Sequence, residues 1–425
     1  MQRSRLDGAT WDVIVCGAGC AGSAAAYGAA RAGARTLLIE RLGYAGGTPV
    51  AGMIHTLDAV NSCTNHEQQV VGGFSSELLA ELTTLDGMGT SDNPGEVISF
   101  HPDYMKVAID RVLSRAGVSF LYRAHVCDAF VHDNHITGIE AALLDGRAHF
   151  HSGCVVDATG DAELVHLSGI PWRQSEELQA ITLHFRLGNV ASGETWQSLE
   201  RSMQSAMKSS GIRYGGPWVI RLNASEVSVN STRVVGNPVD PEQRTNLEQN
   251  AREDVLTMTR VLSSKVPSLK HAYLISTATE LHIRESRKLI GIYTLTEEDI
   301  LTEREFSDAI GLGAWPIDIH PTDGFVGVHP HKDYPPRPYQ IPYRALIPKN
   351  HDGLIVAGRP ISTTHRAHGS TRVPGTSLAT GHAAGVAAAL SVSANLPPRE
   401  IPVVQLRRAL LEQGAILSLN QEIAS

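Results

Sequence analysis

The run DVIVCGAGCAGSAAAYGAARAGARTLLIE, from Asp12 to Glu40, limits the fold more than any other part of the chain. Val13, Ile14 and Val15 form a β-branched stretch suited to a fully buried strand of a parallel sheet. Gly17 permits the tight turn that follows, Gly19 lets backbone approach a pyrophosphate, and Gly22 lets the next helix lie close on the strand. Ala18, Cys20 and Ala21 complete a turn at a helix N-terminus, where free N–H groups and the helix dipole favour phosphate. TLLIE reads as a second strand, and Glu40 at its end suits a hydrogen bond to an adenosine ribose. An acid at that position disfavours a 2′-phosphate, so NADP is not expected there. Glycine turns are common by themselves. Here strand, turn, helix, second strand and acid fall in register, which predicts a dinucleotide site.

The next residues bear on which dinucleotide. RLGYAGGTPVAG, from Arg41 to Gly52, follows the acid at once, and Gly46-Gly47-Thr48 makes a second glycine-rich bend. A nicotinamide dehydrogenase would continue into another βα unit. This segment instead resembles the one in flavoproteins of the glutathione-reductase-like class that carries the chain past the ribityl phosphate, which implies contacts from Arg41, Gly46, Gly47 and Thr48.

Residues 117–161 read as short alternating strands with turns at Asn134 and Asp145-Gly146. In the class just named, the strand that here ends in Ala124-His125-Val126 clasps adenine through backbone groups, which implies a contact from Val126. VVDATGD, from Val155 to Asp161, is a buried strand ending in Ala158-Thr159-Gly160-Asp161, similar to the ATG-type turn beside the flavin phosphates of that class. GLIVAGR ends another buried strand in Gly358-Arg359. Pro374-Gly375-Thr376-Ser377 then opens a long helix of small residues. A helix N-terminus aimed at the N1/O2 edge of a flavin stabilises the charge that develops on reduction.

Over residues 10–60, 150–172 and 280–395 the chain resembles the FAD-dependent oxidoreductases related to fumarate reductase and to the glucose-inhibited division protein flavoproteins. The block from Ile283 to His320 carries much of the likeness, with its Arg-Glu-Ser-Arg start and Asp-Ile-His end. HGSTR, from His368 to Arg372, is similar to the fumarate reductase segment whose arginine holds a substrate carboxylate. The match reaches His368 and Arg372 alone. The fumarate reductase asparagine is missing and Pro374 departs from the pattern, so dicarboxylate chemistry is not implied. The resemblance implies an α/β fold: a Rossmann-like FAD-binding domain built from both ends of the chain, residues 1–172 and 336–425, with an inserted antiparallel-sheet substrate or cap domain at 173–335.

With FAD doing the redox step, the protein positions substrate and moves protons. Arg284 and Arg287 suit anion clamping or stabilising reduced flavin, with salt bridges to Glu280 or Glu285 as the plainer role. His365, His368 and Arg372 stand between the last strand and the flavin-facing helix, where a histidine is a candidate base. His55 follows the glycine bend and is a candidate to face the ring, and His55 and Cys63 are the residues of this stretch able to attach FAD covalently, which is not the expected mode. His329, His331 and Asp333 are close enough in sequence to ligate a metal, but a solvated loop is the simpler reading and no metal is expected.

The expected reaction is hydride transfer from a small organic substrate to flavin N5, with oxygen or another acceptor regenerating the cofactor. The alternatives are a flavin monooxygenase and a flavin-binding subunit serving RNA modification. A net charge of −8 without any Lys/Arg block argues against nucleic acid and anionic membranes. The longest apolar run, Ala383 to Val392, is too short to span a bilayer. Five cysteines without a CxxC pair fit a reducing compartment. A cytoplasmic location is the expectation, and the sequence admits a homodimer.

Overall fold

Val13, Ile14 and Val15 are fully buried, as a strand flanked by parallel neighbours requires. The structure, a computed structural model, describes residues 2–89, 97–212, 216–320, 322 and 337–419. The strands used below, in chain order, are β1 (Ala9–Cys16), β2 (Thr36–Glu40), β3 (Ser119–Tyr122), β4 (His125–His132), β5 (His135–Leu143), β6 (Gly146–Asp157), β7 (Phe185–Gly188), β8 (Trp218–Asn223), β9 (Glu226–Asn230), β10 (Tyr273–Thr277), β11 (Ala309–Gly313), β12 (Tyr339–Pro342) and β13 (Leu354–Val356). The helices used below are α1 (Cys20–Arg31), α2 (Gly47–Ala51), α3 (Phe74–Thr84), α4 (Pro102–Arg115), α5 (Trp196–Ser209), α6 (Pro241–Lys265), α7 (His365–Thr371) and α8 (Pro374–Ala394).

The main sheet has seven strands in the order β3-β2-β1-β6-β5-β4, with β13 also on β6. Strand β6 joins two kinds of sheet. Its first half, Gly146 to His151, pairs antiparallel with β5, and its last residues, Val155 to Asp157, pair parallel with β13. Along its other edge it runs parallel to β1. The five strands β3-β2-β1-β6-β13 are therefore parallel, and their carboxyl ends carry Glu40, Cys16 and Asp157 to one edge. Ligands bind at that edge in doubly wound sheets.

Helix α1 is clamped against α8 through missing side chains. A Cβ on Gly381 would stand 2.1 Å from the Ala21 carbonyl oxygen, and one on Gly385 would stand 1.9 Å from that of Ala25. Helix α8 comes from the far end of the chain. Its alanine- and glycine-rich sequence, read above as a helix of small residues, is what allows this approach.

The inserted unit is a four-stranded antiparallel sheet, β8-β9-β7-β10, covered by α5 and α6. Its own hydrophobic cluster runs from Ile181 to Ile283. Beyond that, Leu295, Ile300, Phe306, Ile310 and Ile317 pack into the core of the dinucleotide unit, and β11 pairs with β12. The insert's core thus closes near residue 283, well before the expected limit at 335, because the apolar residues that follow are buried by α8 and its neighbours. His329, His331 and Asp333 lie outside the described residues. Among the described residues, no group of three or more ligating side chains could hold a metal, and no helix is long and apolar enough to cross a membrane.

Candidate active site

Two cavities meet at the carboxyl edge of the parallel strands. The first, about 180 Å³, is a cleft walled by Gly17, Gly19, Glu40, Gly47, Thr48 and the Ala158–Asp161 turn. Cys20, Ala21, Arg41, Gly358, Arg359 and Ser377 also line it. Gly17 has φ +91°, and a Cβ there would come within 2.6 Å of the Ala158 carbonyl oxygen. A Cβ on Gly22 would fall 1.7 Å from the Gly17 oxygen, so this glycine seats the helix and does not face the cleft. Gly19 differs from both. Its nearest neighbour would be Gly47 Cα at 3.7 Å, so the space over it is open. Helix α1 begins at this glycine without a side-chain cap, leaving backbone N–H donors for a phosphate.

Glu40 lines the cleft and also braces it. One carboxylate oxygen accepts the Ala18 N–H at 2.7 Å, and the other accepts the Leu42 N–H at 2.8 Å. Gly46, at φ +122°, donates its N–H to the Ala18 carbonyl at 2.8 Å and tightens the same turn from the other side. Arg41 spans the cleft edge as a bidentate pair with Glu280, at 3.0 and 2.8 Å, and Arg244 reaches the same carboxylate at 3.2 Å. Arg359 gives its donors to the protein: Nε to Gly160 O at 2.8 Å, Nη1 to Ile283 O and Nη2 to Asp161.

Several sequence-predicted residues stand elsewhere. Val126 is buried at 7% exposure in the cluster on the opposite face of the sheet and does not line the cleft. Gly375 donates to Asp58 O at 2.8 Å and has Ala59 where a side chain would go, and Thr376 is fully buried beside it. His368, expected as a base, is fully buried, and its Nε2 meets the Arg284 carbonyl at 2.9 Å. Burial pushes that imidazole down to about 3, and it lines neither cavity. His365 pairs with Glu285, which also binds Lys288. Arg287 stacks on Trp172 at 5.4 Å and donates to Asp161 O. These three side chains brace the wall from behind; a short helix carries two of them, and its sequence does not reveal which face turns inward.

The second cavity, about 480 Å³, lies between the insert and the dinucleotide unit. Trp196, Trp218 and Trp315 line it, with His55, Cys63, His184 and His320 among the polar groups. Asp58, His282, Arg284 and Arg372 line both cavities and mark the junction. Arg372 Nη2 donates to Asp318 Oδ2 at 2.9 Å and to the Asp318 carbonyl at 3.2 Å. Arg284 is 1% exposed and donates from Nη1 to Ala180 O at 2.6 Å and Thr182 Oγ1 at 2.8 Å; it makes no ion pair with Glu280 or Glu285. His282 is held neutral, burial and the Arg284 charge driving it well below the usual imidazole range. Asp58 goes the other way: burial pushes its carboxyl up to about 6, against a Thr56 hydrogen bond and the Arg372 charge. Asp58 sits three residues after His55 in a stretch with no helical or strand period, so nothing in the pattern singled it out.

A glycine cradle with open space over Gly19, an uncapped helix start and an acid at the end of β2 fit the phosphates and ribose of a dinucleotide. Residues 12–410 match the family described as FAD dependent oxidoreductase. The chain belongs to that family. As a member of the FAD-dependent oxidoreductases it is an enzyme and takes FAD as its cofactor, with Gly17, Gly19, Glu40, Gly47 and the Ala158–Asp161 turn as the residues that fit it. No curated relative matches the chain. Among solved structures, a geranylgeranyl bacteriochlorophyll reductase-like protein from Thermoplasma acidophilum is similar at 13% identity and TM-score 0.50, covering 96% of this chain and 84% of that one. A myxobacterial chondrochloren halogenase is 15% identical at TM-score 0.50, over 95% of this chain and 78% of that one. A flavin-dependent brominase is 14% identical at TM-score 0.51, over 94% and 83%. At such identities the likeness is one of fold.

Proposed function

We propose that this FAD-dependent oxidoreductase oxidises a small organic molecule held in the 480 Å³ chamber. The observation that carries this reading is the wall shared by the two cavities, where Asp58, His282, Arg284 and Arg372 stand together. Bound FAD supplies the hydride acceptor, and oxygen or another acceptor restores its oxidised form. The chain's own residues do the rest. The chamber's tryptophans hold an apolar body and keep water from it. Arg372, fixed by Asp318, keeps positive charge at the junction. The Asp58 carboxylate takes the proton that leaves the substrate, because a carboxyl near 6 is ionised at neutral pH yet still basic enough to accept one. His282, held neutral beside it, accepts a hydrogen bond from the substrate at an imidazole nitrogen.

The test is anaerobic mixing of FAD-loaded protein with a metabolite panel while the flavin absorbance is followed. Bleaching by one compound class supports the oxidation. A panel that bleaches nothing, together with an oxygenated product when NAD(P)H and oxygen are added, would replace it with monooxygenation, the reaction type of the second reading above.

A further inference from the structure

Arg284 carries a charge that the described residues do not neutralise at contact. The residue is 1% exposed, and the hydrogen bonds its Nη1 makes go to a backbone carbonyl and a threonine hydroxyl. Its Nε is buried without a partner. Burying a guanidinium is costly unless an anion compensates it. Asp318, whose charge favours the Arg284 guanidinium, makes no ion pair with it and holds Arg372 and His320 through Oδ2 at 2.9 Å each.

The rest of the wall leaves this charge standing. Around the junction three guanidiniums, Arg233, Arg284 and Arg372, face two carboxyls, Asp58 and Asp318. Asp58, although burial pushes it up to about 6, is ionised at neutral pH, and even so the two carboxylates are outnumbered by the three guanidiniums; burial pushes Glu200 on the far wall up to about 7. The buried histidines of the chamber, His55, His184, His282 and His320, are all driven below the usual imidazole range and stay neutral.

Three tryptophans stand out in the apolar part of the lining, beside aliphatic residues such as Met53, Ile54 and Val219. Trp196 comes from α5, Trp218 from the start of β8, and Trp315 from the segment after β11, three separate parts of the fold that converge on one chamber. Three of the five tryptophans in the sequence are spent here. Such walls favour a flat, apolar ligand body, and a volume near 480 Å³ suits a ligand of one or two rings.

We propose that the chamber takes an aromatic carboxylic acid, with the carboxylate at Arg284 and the ring among Trp196, Trp218 and Trp315. Arginine matches a planar carboxylate with two parallel N–H donors, which a neutral amide of the same shape cannot exploit. The assignment rests on the reading of this chamber as the substrate site.

The experiment uses FAD-loaded protein and the probes benzoate, benzamide and cyclohexanecarboxylate, with binding read from tryptophan emission and from the visible flavin band. Benzoate should bind at least tenfold more tightly than benzamide, and more tightly than cyclohexanecarboxylate. Arg284→Met should cost benzoate tenfold or more and leave benzamide within about twofold. Equal affinity for benzoate and benzamide in the wild type overturns the proposal, and that comparison needs no variant to fold. A benzoate preference that survives Arg284→Met also overturns it, above all if the same variant lowers the flavin midpoint potential, since the charge then serves the cofactor. Binding is read without turnover. A metabolite panel that bleaches no flavin therefore removes the oxidation while this preference stays measurable.

Discussion

Arg372 Nη2 lies 2.9 Å from Asp318 Oδ2 where the two cavities meet, and the two side chains are only 7% and 10% exposed. Removing one member of a buried pair strands the other charge, at a cost of about 3–5 kcal/mol, whereas removing both can cost little. Arg372→Leu alone should therefore destabilise the protein by about 3 kcal/mol, because the neutral His320 cannot replace it as a counter-charge to Asp318. Arg372→Leu with Asp318→Leu should lose clearly less than the two single changes added together. Urea unfolding of the four proteins, stripped of FAD, measures this. Additive losses would mean that the pair is not coupled and that Arg372 acts on the ligand alone.

Glu40 does double duty, and its two jobs can be separated. It holds the Ala18 and Leu42 N–H groups whether or not FAD is bound. Glu40→Ala should thus lower the stability of the FAD-free protein by about 1–3 kcal/mol, the cost of leaving buried donors unmet, besides weakening FAD retention. Glu40→Gln keeps one acceptor oxygen and should fall between. Thermal unfolding of the stripped proteins reports the first effect and FAD titration the second. An unchanged melting temperature for stripped Glu40→Ala would leave Glu40 as a cofactor ligand only.

The glycines of the turn should divide in the same way. Gly22→Ala places a methyl 1.7 Å from the Gly17 oxygen, so α1 cannot seat and little folded protein is expected. Gly19→Ala meets nothing nearer than 3.7 Å and should fold with near-normal stability. Its methyl would occupy the space over the helix start, where backbone has to approach phosphate, so FAD affinity should fall steeply. Circular dichroism of the two variants and FAD titration of Gly19→Ala check this. Tight FAD binding by Gly19→Ala would move the phosphates away from this turn.

The parts of the fold that were legible in the sequence are those whose cause is local. The β-branched run at Val13, the glycine turn and the small-residue helix at Pro374 each announce their own packing, and the structure has a strand, a turn and a helix there. The insert's end was not legible. Leu295, Phe306 and Ile317 are apolar like the residues before them, and only the three-dimensional packing assigns them to the dinucleotide unit's core. The same holds at the site. A cleft built from backbone can be read from glycines, but the chamber's tryptophans are far apart in sequence and carry no shared motif. His368 has the right chemistry for a base and the wrong side of α7, which a seven-residue helix does not disclose.

Asp58 supplies the sharpest pH dependence. Burial is the main cause of its rise from 3.8 to about 6, and Asp318 adds to it, while Thr56 and Arg372 pull the other way. His282 and Arg284 complete the groups that share its wall. Because the folded protein binds this proton more tightly than the unfolded chain, the stabilisation is present in full below about pH 4 and is lost as pH rises through 6. The loss should amount to about 2 kcal/mol, allowing for partial exposure of the group. Catalysis should run the opposite way, since a base must be ionised: flavin reduction by substrate should speed up as pH rises through 6 and level off above it. Asp58→Asn should flatten both curves, with higher stability than wild type at pH 8 and slow, pH-independent reduction. Unfolding at a series of pH values and anaerobic stopped-flow reduction, on samples matched for FAD content, read the two effects independently. A flattened stability curve with an unchanged reduction profile would make Asp58 a buried acid without a part in proton transfer, leaving the neutral His282 as the acceptor at the junction.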